Sequence, residues 1–163
     1  MITIELFTLF FAINTLSSVR AFVGAEGLYS KAQKDAVYSL RKYGSTRDEK
    51  YYEEYLRFLE VNLGDREARL ELLQKKPDLD IVRNGLLKGR NHPEDINGMI
   101  KLFQRFNKIY YIKKSISFWT QVDALVLELQ GLADNFHTYI QSGNATEKVI
   151  TQRFQEFDTS STN

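Results

Sequence analysis

His92, Glu94 and Asp95 stand together in the stretch NHPEDI, the closest grouping of an imidazole with carboxylates in this 163-residue chain. A metal centre needs three or four such ligands converging in space, and the only other imidazole, His137, lies far along the sequence. The same residues read more economically as a helix start, with Pro93 in the first position and the acids in the first turn, where the helix dipole favours negative charge. Ser30 and Lys34, one helical turn apart, have the spacing of a serine–lysine dyad. That chemistry requires a lysine depressed by burial, and nothing in the sequence buries Lys34, so both read as solvated-face residues. The absence of cysteine removes thiolate nucleophiles, zinc–thiolate sites and disulfides together, and it leaves the redox compartment open. A hydrolase needs a nucleophile, a base and an oxyanion site, which these residues do not assemble. The sequence therefore predicts no catalytic activity, no cofactor and no metal. NAT at Asn144 matches a glycosylation sequon, but N-capping explains it without modification.

The elements that would position these side chains read as helices. Only two prolines and nine glycines accompany 43% apolar residues, which favours long uninterrupted segments. Charge is balanced, 22 basic against 21 acidic residues, with no basic face of the kind a phosphate backbone requires, so nucleic acid is not expected as a partner. Leu6 to Val19 carries no charge and is bounded by Glu5 and Arg20. Such a run is short for a membrane span and fits either a truncated membrane helix or a buried core helix. No basic leader precedes it and no small-x-small cleavage site follows, which argues against a signal peptide. Phe22, Ala25, Tyr29, Ala32, Ala36, Leu40 and Tyr43 then recur at threes and fours, on one face of a continuing helix. Gly24 and Gly27 interrupt it as a loosened point or a close contact.

Beyond Gly44, Thr46 and Glu49 form a capping-box pattern for a second helix to about Asn62, with Tyr52, Tyr55, Leu56 and Leu59 inward. Gly64 punctuates, and Asp65–Lys75 reads as a separate short helix with Ala68, Leu72 and Leu73 inward, ended by Pro77. Asp78 caps a further short helix carrying Leu79, Val82 and Leu86. The helix starting at Pro93 has Ile96, Met99, Ile100, Phe103 and Phe106 on its apolar face. From Tyr110 to Tyr139, Ile112, Ile116, Trp119, Val122, Val126, Leu129, Ala133, Phe136 and Ile140 keep bundle spacing. Trp119 on that stripe is read as core, with ligand stacking as the alternative. A last helix is expected after Asn144, with Val149, Ile150, Phe154 and Phe157. The predicted fold is all-α, a helical bundle with two long antiparallel helices, Leu6–Tyr43 and Tyr110–Tyr139, and several short ones. Its expected organisation is an apolar N-terminal helix over 1–22, a bundle over 23–158 and a polar tail over 159–163.

Several separated blocks in order carry a family resemblance: SVRAFVGAEGLYSKAQKDAVYSL, LGDREARLELL, NHPEDINGMIKLFQRF and the tryptophan of ISFWTQVD. Together, over roughly Leu16 to Tyr139, the chain resembles the N-terminal extracytoplasmic sensor regions of bacterial membrane signalling proteins. In that family such regions precede PAS modules and a histidine kinase, or the GGDEF and EAL modules that make and degrade cyclic di-GMP. The resemblance implies a periplasmic helical bundle on the bacterial inner membrane, entered from a membrane helix at Gly24 and Gly27, with Arg20 near the outer interface. Neither a second membrane helix nor an output module is present in this sequence.

The function expected on that resemblance is sensing of a small polar or charged molecule, with a signal passed along the long helices and a homodimer among the partners allowed. Lys34, Asp35, His92 and Asp95 are the expected ligand-binding groups, because they lie in blocks that carry the resemblance and can hold an anion or an amine. Trp119 joins them as an aromatic candidate. The alternative function is a non-catalytic helical interaction or dimerisation bundle, which would show an apolar external seam.

Overall fold

No proline interrupts the sequence before Pro77, and a single α-helix, α1, runs unbroken from Ile2 to Thr46. The computed structural model describes residues 2–108 and 110–143, together with 149 and 152. Four more helices follow α1: α2 (Glu49–Leu72), α3 (Leu79–Lys88), α4 (Pro93–Phe106) and α5 (Tyr110–Gln141). There is no strand among the described residues, and the all-α bundle expected from the periodicities stands.

The chain packs as two units. One holds residues 1–31 and 60–117, the other 32–59 and 118–163, so α1, α2 and α5 each contribute a segment to both. In the first unit Ala68 and Leu72 of α2, Val82 and Leu86 of α3, and Ile96, Met99, Ile100 and Phe103 of α4 form a buried cluster. Ala21, Phe22 and Ala25 of α1 and Ile116 of α5 cover it partly. In the second unit Ala32, Ala36, Leu40 and Tyr43 of α1 face Tyr52, Tyr55 and Leu59 of α2, and Val126, Leu129, Ala133 and Phe136 of α5 complete a three-helix core.

Gly64 does not end a helix. A Cβ there would lie 2.5 Å from the Lys88 Cβ and 2.7 Å from the Gly85 carbonyl oxygen, so the glycine serves a close crossing of α2 over α3 and the helix runs on. In the second unit Arg47, in the left-handed region at φ 58°, and Asp48 fold α2 back along α1. Next, α5 runs against α2, since Glu49 meets His137 and Gln141 while Tyr52 meets Asp134. Within that unit α1 and α5 therefore run in the same direction, which corrects the antiparallel pairing expected for the two long helices. The start of α2, antiparallel to both, is the reason.

Local signals at the helix starts differ in outcome. Asp78 caps α3, its carboxylate accepting from the amides of Asp80 at 2.9 Å and Ile81 at 3.4 Å. Pro93 opens α4. At α2 the cap is Asp48, whose Oδ1 accepts from the Lys50 amide at 3.1 Å, while Thr46 still belongs to α1 and bonds back to the Lys42 carbonyl. Gly24 and Gly27 lie inside unbroken helix with open space where a Cβ would project, so they serve neither a close contact nor a break in α1. Of the last expected helix, the start at Asn144 and Ile150, Phe154 and Phe157 lie outside the described residues, as does the tail over 159–163.

Candidate functional site

The first half of α1 is apolar on nearly every side and almost uncovered. Ile4, Phe7, Phe10 and Leu16 are each 68–71% exposed, and Leu6, Leu9, Ile13 and Val23 lie between 56 and 60%. By length and composition α1 could cross a membrane, and none of its most apolar stretch is buried. A soluble protein rarely leaves such a surface to water, because each uncovered apolar side chain forgoes about 1.5–3 kcal/mol of burial.

One stripe of that helix is polar. Asn14, Thr15, Ser17 and Ser18 share a face, and three of them bond back onto their own helix. Asn14 donates to the Phe10 carbonyl, Thr15 to that of Phe11 and Ser18 to that of Asn14, each at 2.9 Å. Back-bonding of this kind satisfies a polar side chain where water is scarce, and it leaves oxygen lone pairs free to accept.

The polar stripe faces α4 across a cleft of about 480 Å³ within the first unit. On α4 the lining follows helical spacing: Glu94, Gly98, Lys101 and Arg105, with Asp95 and Leu102 beside them. Gly98 permits the approach, since a Cβ there would lie 2.7 Å from the Ser18 Oγ. At the other end the Arg105 guanidinium lies 4.8 Å from the Phe11 ring centroid. Ser18 meets Gly98 and Phe11 meets Arg105, so α4 runs antiparallel to α1. The cleft therefore has carboxylates at one end and cations, beside Phe10 and Phe11, at the other.

The ligand-binding residues expected from the sequence fall in different places. Asp95 lines this cleft. His92 is exposed and caps α4, its Nδ1 accepting weakly from the Glu94 amide at 3.4 Å. Lys34, Asp35 and Trp119 belong to the second unit, where Lys34 is exposed and the other two are half-buried. Glu94, which the sequence offers as a carboxylate beside His92 and as a first-turn acid, lines the cleft too, and Asn14, Thr15, Ser17, Ser18, Lys101 and Arg105 are cleft residues that the sequence reading does not single out. The available signal is the polar stripe inside the apolar run, matched by the i, i+4, i+7, i+11 spacing of Glu94, Gly98, Lys101 and Arg105. Among the described residues no group of three or more histidines and carboxylates could hold a metal.

A second polar cluster lies in the second unit, between the start of α2 and the end of α5. His137 Nε2 lies 2.7 Å from Glu49 Oε1, and Gln141 donates to the other carboxylate oxygen at 2.9 Å. The Tyr52 hydroxyl donates to Asp134 at 3.1 Å. Burial, reinforced by that carboxylate, pushes the Tyr52 phenol up to about 12. Burial also raises Tyr55, whose hydroxyl is enclosed with no hydrogen-bond partner among the described residues. The raised Tyr52 phenol keeps its proton and acts as a donor to Asp134, so these contacts tie the first turn of α2 to the last turns of α5. No family model, curated protein or solved structure matches this chain.

Proposed function

We propose that this chain is a membrane-anchored sensor bundle, the extracytoplasmic part of a bacterial signalling protein, in which the cleft between α1 and α4 receives a ligand. The observation that carries the reading is the continuity of α1. One helix begins with uncovered apolar residues suited to lipid, lines the cleft with its polar stripe, and ends with Ala36, Leu40 and Tyr43 buried in the second unit. A helix that contributes to both a ligand site and the core of the other unit is a physical route for a signal, provided the ligand binds two arrangements of that helix unequally. The reading gives the chain no catalytic step of its own. The periplasmic placement rests on the resemblance of the sequence blocks to such sensor regions.

The test is the melting temperature of the chain in lipid nanodiscs against a panel of amino acids, organic acids and amphiphiles. A ligand at about 100 times its Kd stabilises by about 2.7 kcal/mol. A stabilising ligand whose effect is lost in Lys101→Glu supports the reading. No shift with any compound, in a chain that forms a tight dimer, would replace it with the interaction bundle.

One observation favours that second reading. Phe118, Leu125 and Leu132 on α5 are 58%, 42% and 36% exposed and recur every seven residues, the repeat of a helix that pairs with another helix. A second copy of the chain presenting the same stripe would cover it.

A further inference from the structure

Charge in the α1–α4 cleft is segregated. Glu94 and Asp95 line one end, Lys101 and Arg105 the other, and their formal charges cancel. A neutral but dipolar site is complementary to a zwitterion, not to a simple anion or cation. Asp95 and Lys101 are six residues apart on α4, about 9 Å along the axis, a gap that side chains of their length, reaching inward, close to the scale of a phosphoethanolamine group. The cationic end is also the apolar end. Arg105 lies over Phe11, and Phe10 beside it is 68% exposed and continues into the uncovered Phe7 and Leu6. A water-soluble zwitterion would leave that wall unmatched. A ligand with acyl chains next to its phosphate would use it.

We infer that the cleft binds the headgroup of an aminophospholipid taken from the bilayer. The phosphate sits on Lys101 and Arg105, the ammonium on Glu94 and Asp95, and the acyl chains lie along Phe10, Phe7 and Leu6. The guanidinium is suited to this place, since it binds phosphate through paired donors while its plane rests on an aromatic face. The assignment sets the headgroup level near Phe11, deeper along α1 than Arg20. It rests on the membrane-anchored reading above and names the ligand class for the same cleft.

The experiment has two stages, so that the two can fail separately. Flotation with phospholipid vesicles comes first: a chain that stays with the aqueous fraction overturns both the anchoring and this inference. A chain that floats is then held in nanodiscs of phosphatidylethanolamine and phosphatidylglycerol in equal amounts, and the lipids kept through detergent exchange are quantified by mass spectrometry. The expected result is retention of phosphatidylethanolamine over phosphatidylglycerol by about fivefold or more, equivalent to about 1 kcal/mol. Glu94→Gln with Asp95→Asn abolishes the preference, while Lys101→Glu with Arg105→Glu lowers retention of both lipids. Equal retention by the unmodified chain, or retention unchanged in either double variant, overturns the inference. Displacement by soluble phosphoethanolamine at matching concentration would make the ligand a free molecule and overturn the lipid source.

Discussion

Tyr52 lies flat against His137, the ring centroids 3.8 Å apart and the planes 4° from parallel. The contact joins the first turns of α2 to the last turns of α5, and Glu49 holds the far side of the imidazole through Nε2. Tyr43, fully buried, packs its ring 5.3 Å from that of Tyr52 and 5.5 Å from that of His137. An imidazole stacked on one ring and edged by another contributes through its face more than through its charge.

His137→Ala is accordingly expected to cost about 1–2 kcal/mol, mostly from lost stacking, whereas Glu49→Gln costs under about 1 kcal/mol because the pair is partly exposed. A double-mutant cycle by chemical denaturation checks both numbers. A larger loss for Glu49→Gln than for His137→Ala would make the ion pair the dominant contact.

Asp65 supplies a pH dependence. Burial raises its carboxyl from 3.8 to about 7, although Asn91 donates to it at 3.0 Å and Arg69 lies close enough to favour the charge. A carboxyl whose folded value is raised contributes stability that is fully present below the unfolded value and lost as pH climbs through the folded one. Between about pH 4 and 7 the chain therefore loses stability from this group, by about 4 kcal/mol at 1.36 kcal/mol per unit. Asp65→Asn keeps an acceptor for Asn91 and stays neutral, so it should match the unmodified chain near pH 4 and exceed it at pH 8. An identical difference at the two pH values would contradict the assignment.

The glycines should separate into two kinds. Gly85→Ala brings a Cβ to 2.6 Å from the Gly64 carbonyl oxygen and 2.9 Å from Ala68, all rigid neighbours, and should cost about 2 kcal/mol or more. Gly24→Ala and Gly27→Ala meet open space within helix and should each stabilise by up to about 1 kcal/mol. Thermal melts of the three single variants decide this.

The fold was legible wherever a helix buries one face at steady spacing. Ala32, Ala36, Leu40 and Tyr43, and Val126, Leu129, Ala133, Phe136 and Ile140, are the buried residues their periodicity predicts. Where a helix has neighbours on changing sides, periodicity misleads. Leu56 and Leu73 point outward at 43% and 46% exposure, and Trp119 is half-buried, short of the core position its stripe suggested. Gly64 read as a break because sequence does not distinguish a glycine that ends a helix from one that lets another helix approach. The cleft was half legible. Asp95 was singled out, but Lys101 and Arg105 lie opposite the apolar face of α4, where charged residues read as solvated until α1 is seen beside them. Lys34 and Asp35 share a sequence block with the first helix, yet they belong to the other unit, a separation only the packing reveals.

The central claim, that the first turns of α1, up to about Phe10, lie in lipid while its second half stands in a water-exposed bundle, is tested most directly by cysteine accessibility. The chain has no cysteine of its own, so Phe7→Cys, Leu16→Cys and Tyr38→Cys each give a single thiol. All three positions are 61–71% exposed, which means that protein packing does not shield them. In phospholipid vesicles, a membrane-impermeant maleimide should label Tyr38→Cys rapidly and Phe7→Cys very slowly, with Leu16→Cys between them, and all three at similar rates once the protein is unfolded in denaturant. Equal rapid labelling of Phe7→Cys and Tyr38→Cys in vesicles would contradict the account.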